Sequence, residues 1–325
     1  MKAGKLSESI LKRSVLKQLH RRRSEVTAQA GVGCDYGAFV APEVVIATNP
    51  ATRAFGRIAD SGICRAVNNV ACSGAEPVAV EISLLVPTNM NEPQLRELMK
   101  EIDEAAKKVQ VQIIGGHTEV TRQVKEPLLT VTALGKIENG KKIMNSGVRP
   151  GMDLVVTKWI ALEGTAILAR MKQDELCQRY AKPFIEKAKE FADYHSILPE
   201  AKIATGCNVA AMHDVSEGGI FGALWEMAQA SHVGLEIDLK KIPIRQETIE
   251  ICEFFDLNPY KLISGGSLLI AAENGNSLIH ELEKEKIPAV LIGKATEGND
   301  RILINDEERR FLETTQTDEL YKIFP

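Results

Sequence analysis

Residues 8–22 place Leu11, Val15 and Leu19 four apart, with Lys12, Arg13, Lys17, Arg21 and Arg22 between and after them. That spacing predicts an amphipathic helix with a basic face. A β-branched run at 44–48 and the apolar runs at 78–86 and 127–137 predict strands. Between them, Leu95, Leu98, Met99, Ile102 and Ala105 keep a three/four spacing behind Asn91, which predicts a helix over 92–109 with Asn91 as its N-cap.

The passage 138–151 is rich in Gly, Asn and Pro and precedes a strand expected at 154–157, so a domain boundary is expected here, dividing the chain into 1–145 and 146–325. The second half again mixes strands, at 209–212, 268–272 and 290–292, with helices at 218–231 and 248–255. The alternation in both halves predicts an α/β (α+β) protein. No short-period repeat and no low-complexity tract interrupts it.

The chain has 325 residues, 44 acidic against 40 basic, for a formal net charge of −4; 44% are hydrophobic and 26% charged. Such a composition supports two buried cores and excludes global disorder. No apolar run approaches the roughly 20 residues that cross a bilayer, and the N-terminus lacks the apolar centre of a secretory signal, so a cytoplasmic protein without a membrane span is expected. Six cysteines without a C-x-x-C pair read as reduced thiols. The basic stretch Lys12–Arg23 carries no interleaved aromatic residue to stack on bases, so a solvated face is favoured over a nucleic-acid arm.

Four glycine-bearing polar segments could carry chemistry. Gly31-Val32-Gly33-Cys34-Asp35-Tyr36-Gly37 combines a pliable backbone with a hard carboxylate oxygen, or is a plain turn. Gly115-Gly116-His117-Thr118-Glu119 follows the short apolar strand Ile113-Ile114, and strand ends feeding glycine loops are where open sheets bind ligands. His213-Asp214-Val215-Ser216-Glu217-Gly218-Gly219 lies between a strand and a helix, where the backbone can hold an anion or Asp214 and Glu217 can cap the helix. Ser264-Gly265-Gly266-Ser267 suggests a second anion nest. Neither a Walker G-x-x-x-x-G-K-[ST] nor a strand-borne G-x-G-x-x-G occurs, and G-x-S-x-G is missing, so P-loop, Rossmann and α/β-hydrolase readings are disfavoured.

In these segments, together with Asn68-Asn69-Val70-Ala71, Gly74-Ala75-Glu76-Pro77 and Leu162-Glu163-Gly164-Thr165-Ala166, the sequence resembles the aminoimidazole ribonucleotide synthetase (PurM-like) superfamily. That superfamily includes hydrogenase maturation factor HypE, thiamine-monophosphate kinase and selenophosphate synthetase, and the likeness runs over nearly the whole chain. It implies two α/β domains, an N-terminal ATP-binding domain whose sheet joins that of a second subunit in a barrel, and hence a homodimer. It further implies magnesium-dependent phosphoryl transfer from ATP to an oxygen or selenium nucleophile, commonly an amide-type oxygen, by positioning and charge neutralisation.

Carried over residue by residue, the resemblance assigns Asp35, Asn49, Asn69 and Asp214 to the metal and phosphate region. Gly33 and Gly115, Gly116, His117 and Thr118 become nucleotide contacts, Gly218, Gly219, Ser264, Gly265 and Gly266 anion contacts, and His117 and Glu119 the catalytic candidates. Two departures stand out. The family's Thr-Asp-Pro is Thr48-Asn49-Pro50 and its Asn-Asp is Asn68-Asn69, so two carboxylates are amides, each removing a full charge while keeping a carbonyl oxygen. No cysteine follows Cys252, so the carbamoylation and dehydration of a C-terminal cysteine known for HypE is not expected. The expectation is an ATP-dependent activator of an amide or carbonyl oxygen of a small substrate; the alternative is a catalytically weakened nucleotide sensor or a scaffold for a maturation partner.

Overall fold

The computed structural model describes residues 4–20, 22–32, 37–51, 57–137, 142–314 and 317–324. The chain divides into two compact units, Met1–Ala71 with Ala75–Lys142, and Cys72–Gly74 with Ile143–Pro325.

The first unit runs β1 (Gly4–Lys5), α1 (Glu8–Ile10), β2 (Val26–Ala28), β3 (Ala38–Phe39), β4 (Glu43–Ala51), α2 (Ile58–Ala71), β5 (Glu76–Pro87), α3 (Glu92–Lys108), β6 (Gln112–Thr121) and β7 (Leu128–Ile137). Five strands form one sheet in the order β1-β6-β5-β7-β4, and β2 and β3 form a separate pair. Residue alternation gives this sheet two different faces. Val80, Ile82, Leu84 and Val86 of β5 and Leu129, Val131 and Ala133 of β7 are buried on the face that carries α2 and α3. Glu81 and Ser83 of β5, Thr130 and Thr132 of β7 and Thr48 of β4 occupy the opposite face, which stays open at its centre.

Helix α3 starts where the sequence places it. Asn91 Oδ1 accepts from Gln94 N at 2.9 Å while Gln94 Oε1 accepts from Asn91 N at 2.9 Å, satisfying two otherwise orphaned donors. The N-terminal helix is shorter and less regular than its periodicity predicts. After α1 the backbone forms a π-helical turn at Leu11–Val15 and a 3-10 turn at Leu16–Gln18. Tertiary bonds account for this distortion. Ser14 donates to Glu92 Oε1 at 2.8 Å and Arg13 pairs with the same carboxylate, drawing the segment onto the first turn of α3. Much of the basic face is thereby neutralised, since Lys12 also pairs with Glu8 and Arg23 with Glu25 and Glu76.

The second unit contains β8 (Asp153–Thr157), α4 (Leu162–Met171), α5 (Gln173–Leu176), α6 (Lys182–Lys189), α7 (Leu198–Gly206), β9 (Ala211–Val215), α8 (Gly219–Ser231), β10 (Gly234–Asp238), α9 (Gln246–Phe254), β11 (Ser267–Ala272), α10 (Gly275–Lys284), β12 (Ala289–Thr296), β13 (Arg301–Asn305) and β14 (Glu308–Phe311). Seven strands make one mixed sheet, β14-β13-β10-β12-β8-β11-β9. Its core joins Ile220, Phe221, Leu224 and Met227 of α8 to Leu154, Val156, Leu235, Leu269 and Ile292 of the sheet. Truncating one of these fully buried leucines to alanine is expected to cost about 2–5 kcal/mol.

Two sequence readings are corrected here. Gly115–Glu119 is not a loop after a strand: β6 runs from Gln112 through both glycines to Thr121, paired along its length with β5. His213 and Asp214 likewise lie inside β9, paired with Leu269 and Leu268, so the turn before α8 is confined to Ser216–Gly218. In both places neighbouring strands supply backbone partners that override the local turn propensity of glycine and polar residues.

Candidate functional site

The registers of the first sheet set out the open face of the site. Gly115 of β6 lies opposite Glu81 of β5, which lies opposite Thr132 of β7, which lies opposite Thr48 of β4. The next row on the same face is His117, Ser83 and Thr130. Thr48 and Thr132 share a hydroxyl hydrogen bond at 3.0 Å, and His117 Nε2 stands 3.4 Å from Glu119 Oε2, two residues along the same face.

Both glycines of β6 have steric reasons. Gly116 has φ +138°, and a Cβ there would fall on the Ile82 carbonyl; a Cβ at Gly115 would come within 2.7 Å of Glu81 Oε1. The backbone therefore approaches β5 and its carboxylate more closely than any side chain allows. A bulge between Val80 and Glu81, with Ile114 as the extra residue on β6, turns the strand at this point. A cavity of about 450 Å³ runs past the glycines. Glu81, Ser83, His117, Thr130 and Thr132 supply its polar side, and Leu6, Leu11, Val15, Leu16 and Leu19 of the N-terminal segment supply an apolar wall. Size and lining fit a small-molecule pocket, an apolar wall with a few convergent polar groups.

The other residues singled out in this unit fall elsewhere. Asn49 and Asn69 lie on the helix-covered face, where Asn69 Nδ2 donates to Asn49 Oδ1 at 2.7 Å, so β4's alternation separates them from Glu81 and His117. Thr118 is the exception: buried, and on the other side of β6 from His117, it is still among the residues that line the cavity. Gly33 and Asp35 lie outside the described residues. Sequence reasoning missed Glu81, Ser83, Thr130 and Thr132. A charged residue and three hydroxyls at alternate positions of otherwise apolar strands were the signal available.

In the second unit, Asp214 is buried; burial of Cys72, with a smaller push from the Asp214 charge, raises that thiol's pKa. Burial disfavours a charge on His213, but Glu226 Oε2 at 2.9 Å, the Asp214 charge and the Asp214 carbonyl outweigh it and raise its pKa. The glycine segments of this unit are engaged within the chain. Ser264 Oγ accepts from Ala161 N, Ser267 Oγ donates to Trp159 O at 2.6 Å, and Gly218 N donates to Asp318 Oδ2 at 2.8 Å. Cβ atoms at Gly219, Gly265 and Gly266 would strike the Tyr260 carbonyl, the Glu163 carboxylate and the Tyr194 carbonyl, so these glycines serve close packing. Among the described residues, no three His, Cys, Asp or Glu side chains gather as a metal would require. The two amides of Asn49 and Asn69 spend a donor and an acceptor on each other, so the described donor set does not fit a magnesium ion.

Comparison with known proteins follows the same two-unit division. The family of AIR synthase related proteins matches twice, its N-terminal domain over residues 38–137 and its C-terminal domain over 149–305. A putative hydrogenase expression/formation protein of Methanocaldococcus jannaschii is 31% identical over 253 residues, 77% of this chain and 72% of that one. Thiamine-monophosphate kinase of Pyrococcus horikoshii is 28% identical over 241 residues, 71% and 69% of the two chains. The crystal structure of hydrogenase maturation protein HypE in complex with ATP superposes with a TM-score of 0.81, covering 96% of this chain and 95% of that one at 16% identity, and establishes the two-domain PurM-like fold. With both family domains matched and a relative above 30% identity across most of its length, the chain belongs to the family of AIR synthase related proteins.

Proposed function

We propose that the chain binds ATP on the open face of its first sheet and transfers the terminal phosphoryl group to an amide or carbonyl oxygen of a small substrate. The observation that carries this reading is the cavity itself: about 450 Å³, running past glycines of β6 that bring bare backbone to its edge, with one apolar wall and one row of hydroxyls. That lining suits a nucleotide's base and sugar. In the transfer, the substrate oxygen attacks the γ-phosphorus as the bond to ADP breaks, and the protein's part is alignment. His117 and Glu119, half-exposed and 3.4 Å apart, are the pair within reach of a proton released at the cavity mouth.

Asn49 and Asn69, bonded to each other on the helix-covered face, take no part in this reading, which assigns no magnesium ion to the described residues. A homodimer fits the open face. Val44 and Ile46 of the edge strand β4 are 43% and 62% exposed on it, an apolar stripe that a second sheet would cover. Residues 1–145 form the proposed nucleotide-binding domain and 146–325 the second domain. Among the described residues, no helix is long and apolar enough to cross a membrane, in keeping with the proposed cytoplasmic location.

A nucleotide sensor or maturation scaffold is the second reading, favoured by the Asn49–Asn69 bond, which puts neutral amides where family members place carboxylates. Titration calorimetry with ATP and a non-hydrolysable analogue, each with and without magnesium, decides between them. Magnesium-enhanced binding with turnover supports the enzyme. Binding indifferent to magnesium and without turnover supports the sensor, and no binding overturns the nucleotide reading altogether.

A further inference from the structure

Glu81 is a carboxylate in the middle of a sheet. It is half-buried on the central strand β5, flanked by Gly115 on one side and Thr132 on the other, and forms no ion pair among the described residues. Among the described residues it accepts a single, long hydrogen bond, from Gly37 N to Oε1 at 3.4 Å. A carboxylate offers about four lone-pair sites, so most of its accepting capacity is left free by the described residues, and the side chain lines the cavity. No lysine or arginine is among the described residues that line the cavity; Glu81 carries the fixed charge there, beside His117 and the hydroxyls of Ser83, Thr130 and Thr132.

This arrangement selects among the parts of a nucleotide. Phosphate groups would meet a half-buried negative charge at close range, with no cation among the described lining residues to offset it, a repulsion that a protein interior strengthens. Ribose hydroxyls and a base amine are donors, and a charged acceptor holds a neutral donor more strongly than a neutral one does. Resting on the nucleotide reading above, we infer that Glu81 is the specificity-determining residue of this cavity: it accepts hydrogen bonds from the donor groups of the nucleoside end and keeps the phosphates out of the pocket. The hydroxyl row beside it can donate or accept, so it tolerates either orientation of the ligand, whereas Glu81 accepts only. Gly115 is part of the same device, because its missing Cβ leaves Oε1 the room to stand in the cavity.

The test uses the full chain, natural and Glu81→Gln. Glutamine keeps the shape and the acceptor for Gly37 N while removing the charge and one acceptor oxygen, so a purely structural role for Glu81 is preserved in it. Adenosine, 2′,3′-dideoxyadenosine, inosine and tripolyphosphate are titrated into both proteins, with thermal unfolding checked alongside. The natural chain is expected to bind adenosine more tightly than at least one of the donor-stripped nucleosides: loss against the dideoxy compound assigns the contact to the ribose, and loss against inosine assigns it to the amine. Glu81→Gln should weaken adenosine by about 10-fold or more and erase that discrimination. Tripolyphosphate should bind the variant at least as well as the natural chain.

Equal adenosine affinity in the two proteins, or discrimination that survives the substitution, overturns the role of Glu81 while ATP binding by the natural chain leaves the nucleotide reading standing. If the natural chain binds neither ATP nor adenosine, both fall. Should Glu81→Gln unfold, Glu81→Ser, which extends the hydroxyl row of Ser83, is held to the same two results.

Discussion

Asn69 Nδ2 donates to Asn49 Oδ1 at 2.7 Å, tying the end of α2 to β4 on the face of the sheet away from the cavity. The two side chains are complementary in one direction only. Asn69 must supply a donor, and Asn49 an acceptor. Asn69→Asp sets an acceptor against an acceptor and is expected to destabilise the chain by about 1–3 kcal/mol, whereas Asn49→Asp keeps the acceptor and adds a charge to the bond, leaving stability within about 0.5 kcal/mol of the natural chain. Urea unfolding of the two single variants checks this. Equal midpoints would show that the amide pair has no preferred direction, and with it would go the argument that these residues are committed to each other rather than to a metal.

The adjacent glycines of β6 are expected to respond differently to a methyl group. At Gly115 the new Cβ would meet the far end of a flexible side chain, Glu81, which can swing aside. At Gly116 it would meet the Ile82 backbone, and φ is +138°, a conformation that L residues rarely adopt. Gly116→Ala should therefore cost about 3 kcal/mol or more and lower the yield of folded protein, since neither the strain nor the overlap can relax without unpairing β5 from β6. Gly115→Ala should cost about 1 kcal/mol while weakening ligand binding, because the carboxylate is pushed out of the position in which it meets the ligand. Thermal unfolding together with adenosine titration separates the two outcomes, and a Gly115→Ala protein that binds as well as the natural chain would contradict the placement of Glu81.

Periodicity and capping revealed much of the fold in advance. Asn91 and the spacing of Leu95, Leu98, Met99, Ile102 and Ala105 announce α3, and the strands at 78–86 and 127–137 appear as β5 and β7 with only their ends moved. The site was less legible. Glycine and histidine in Gly115-Gly116-His117 carry a loop signature, yet pairing with β5 holds them in a strand, a long-range effect that no local window contains. Glu81 was invisible for the complementary reason: a lone carboxylate in an apolar run has no motif, and its significance arises when register puts Gly115 beside it. The expected anion nest around Gly218 and Ser264 was overridden by partners distant in sequence, Asp318 and Ala161.

Asp318 gives the second unit a titration of its own. Its carboxyl is 3% exposed and accepts from Gly218 N at 2.8 Å, Leu320 N at 2.9 Å and the Ile263 backbone. Burial, with a smaller push from the Glu217 charge, outweighs those bonds and raises its pKa from 3.8 to about 6. A carboxyl whose pKa rises on folding binds its proton more tightly in the folded chain. The stability this confers is fully present below pH 3.8 and is lost as the pH passes through about 6, so docking of the 3-10 turn Glu319–Lys322 weakens towards neutrality. At about 1.4 kcal/mol for each pH unit between the two values, the contribution reaches about 3 kcal/mol. Asp318→Asn cannot titrate, so the stability of the natural chain relative to this variant should fall by up to that amount between pH 4 and pH 7, read from urea unfolding at each pH. Hydrogen exchange at the Leu320 amide should quicken over the same interval in the natural chain, beyond the intrinsic rise that the variant also shows. A stability difference that stays flat from pH 4 to 7 would mean that the three backbone donors keep Asp318 ionised throughout, and that burial does not control this carboxyl.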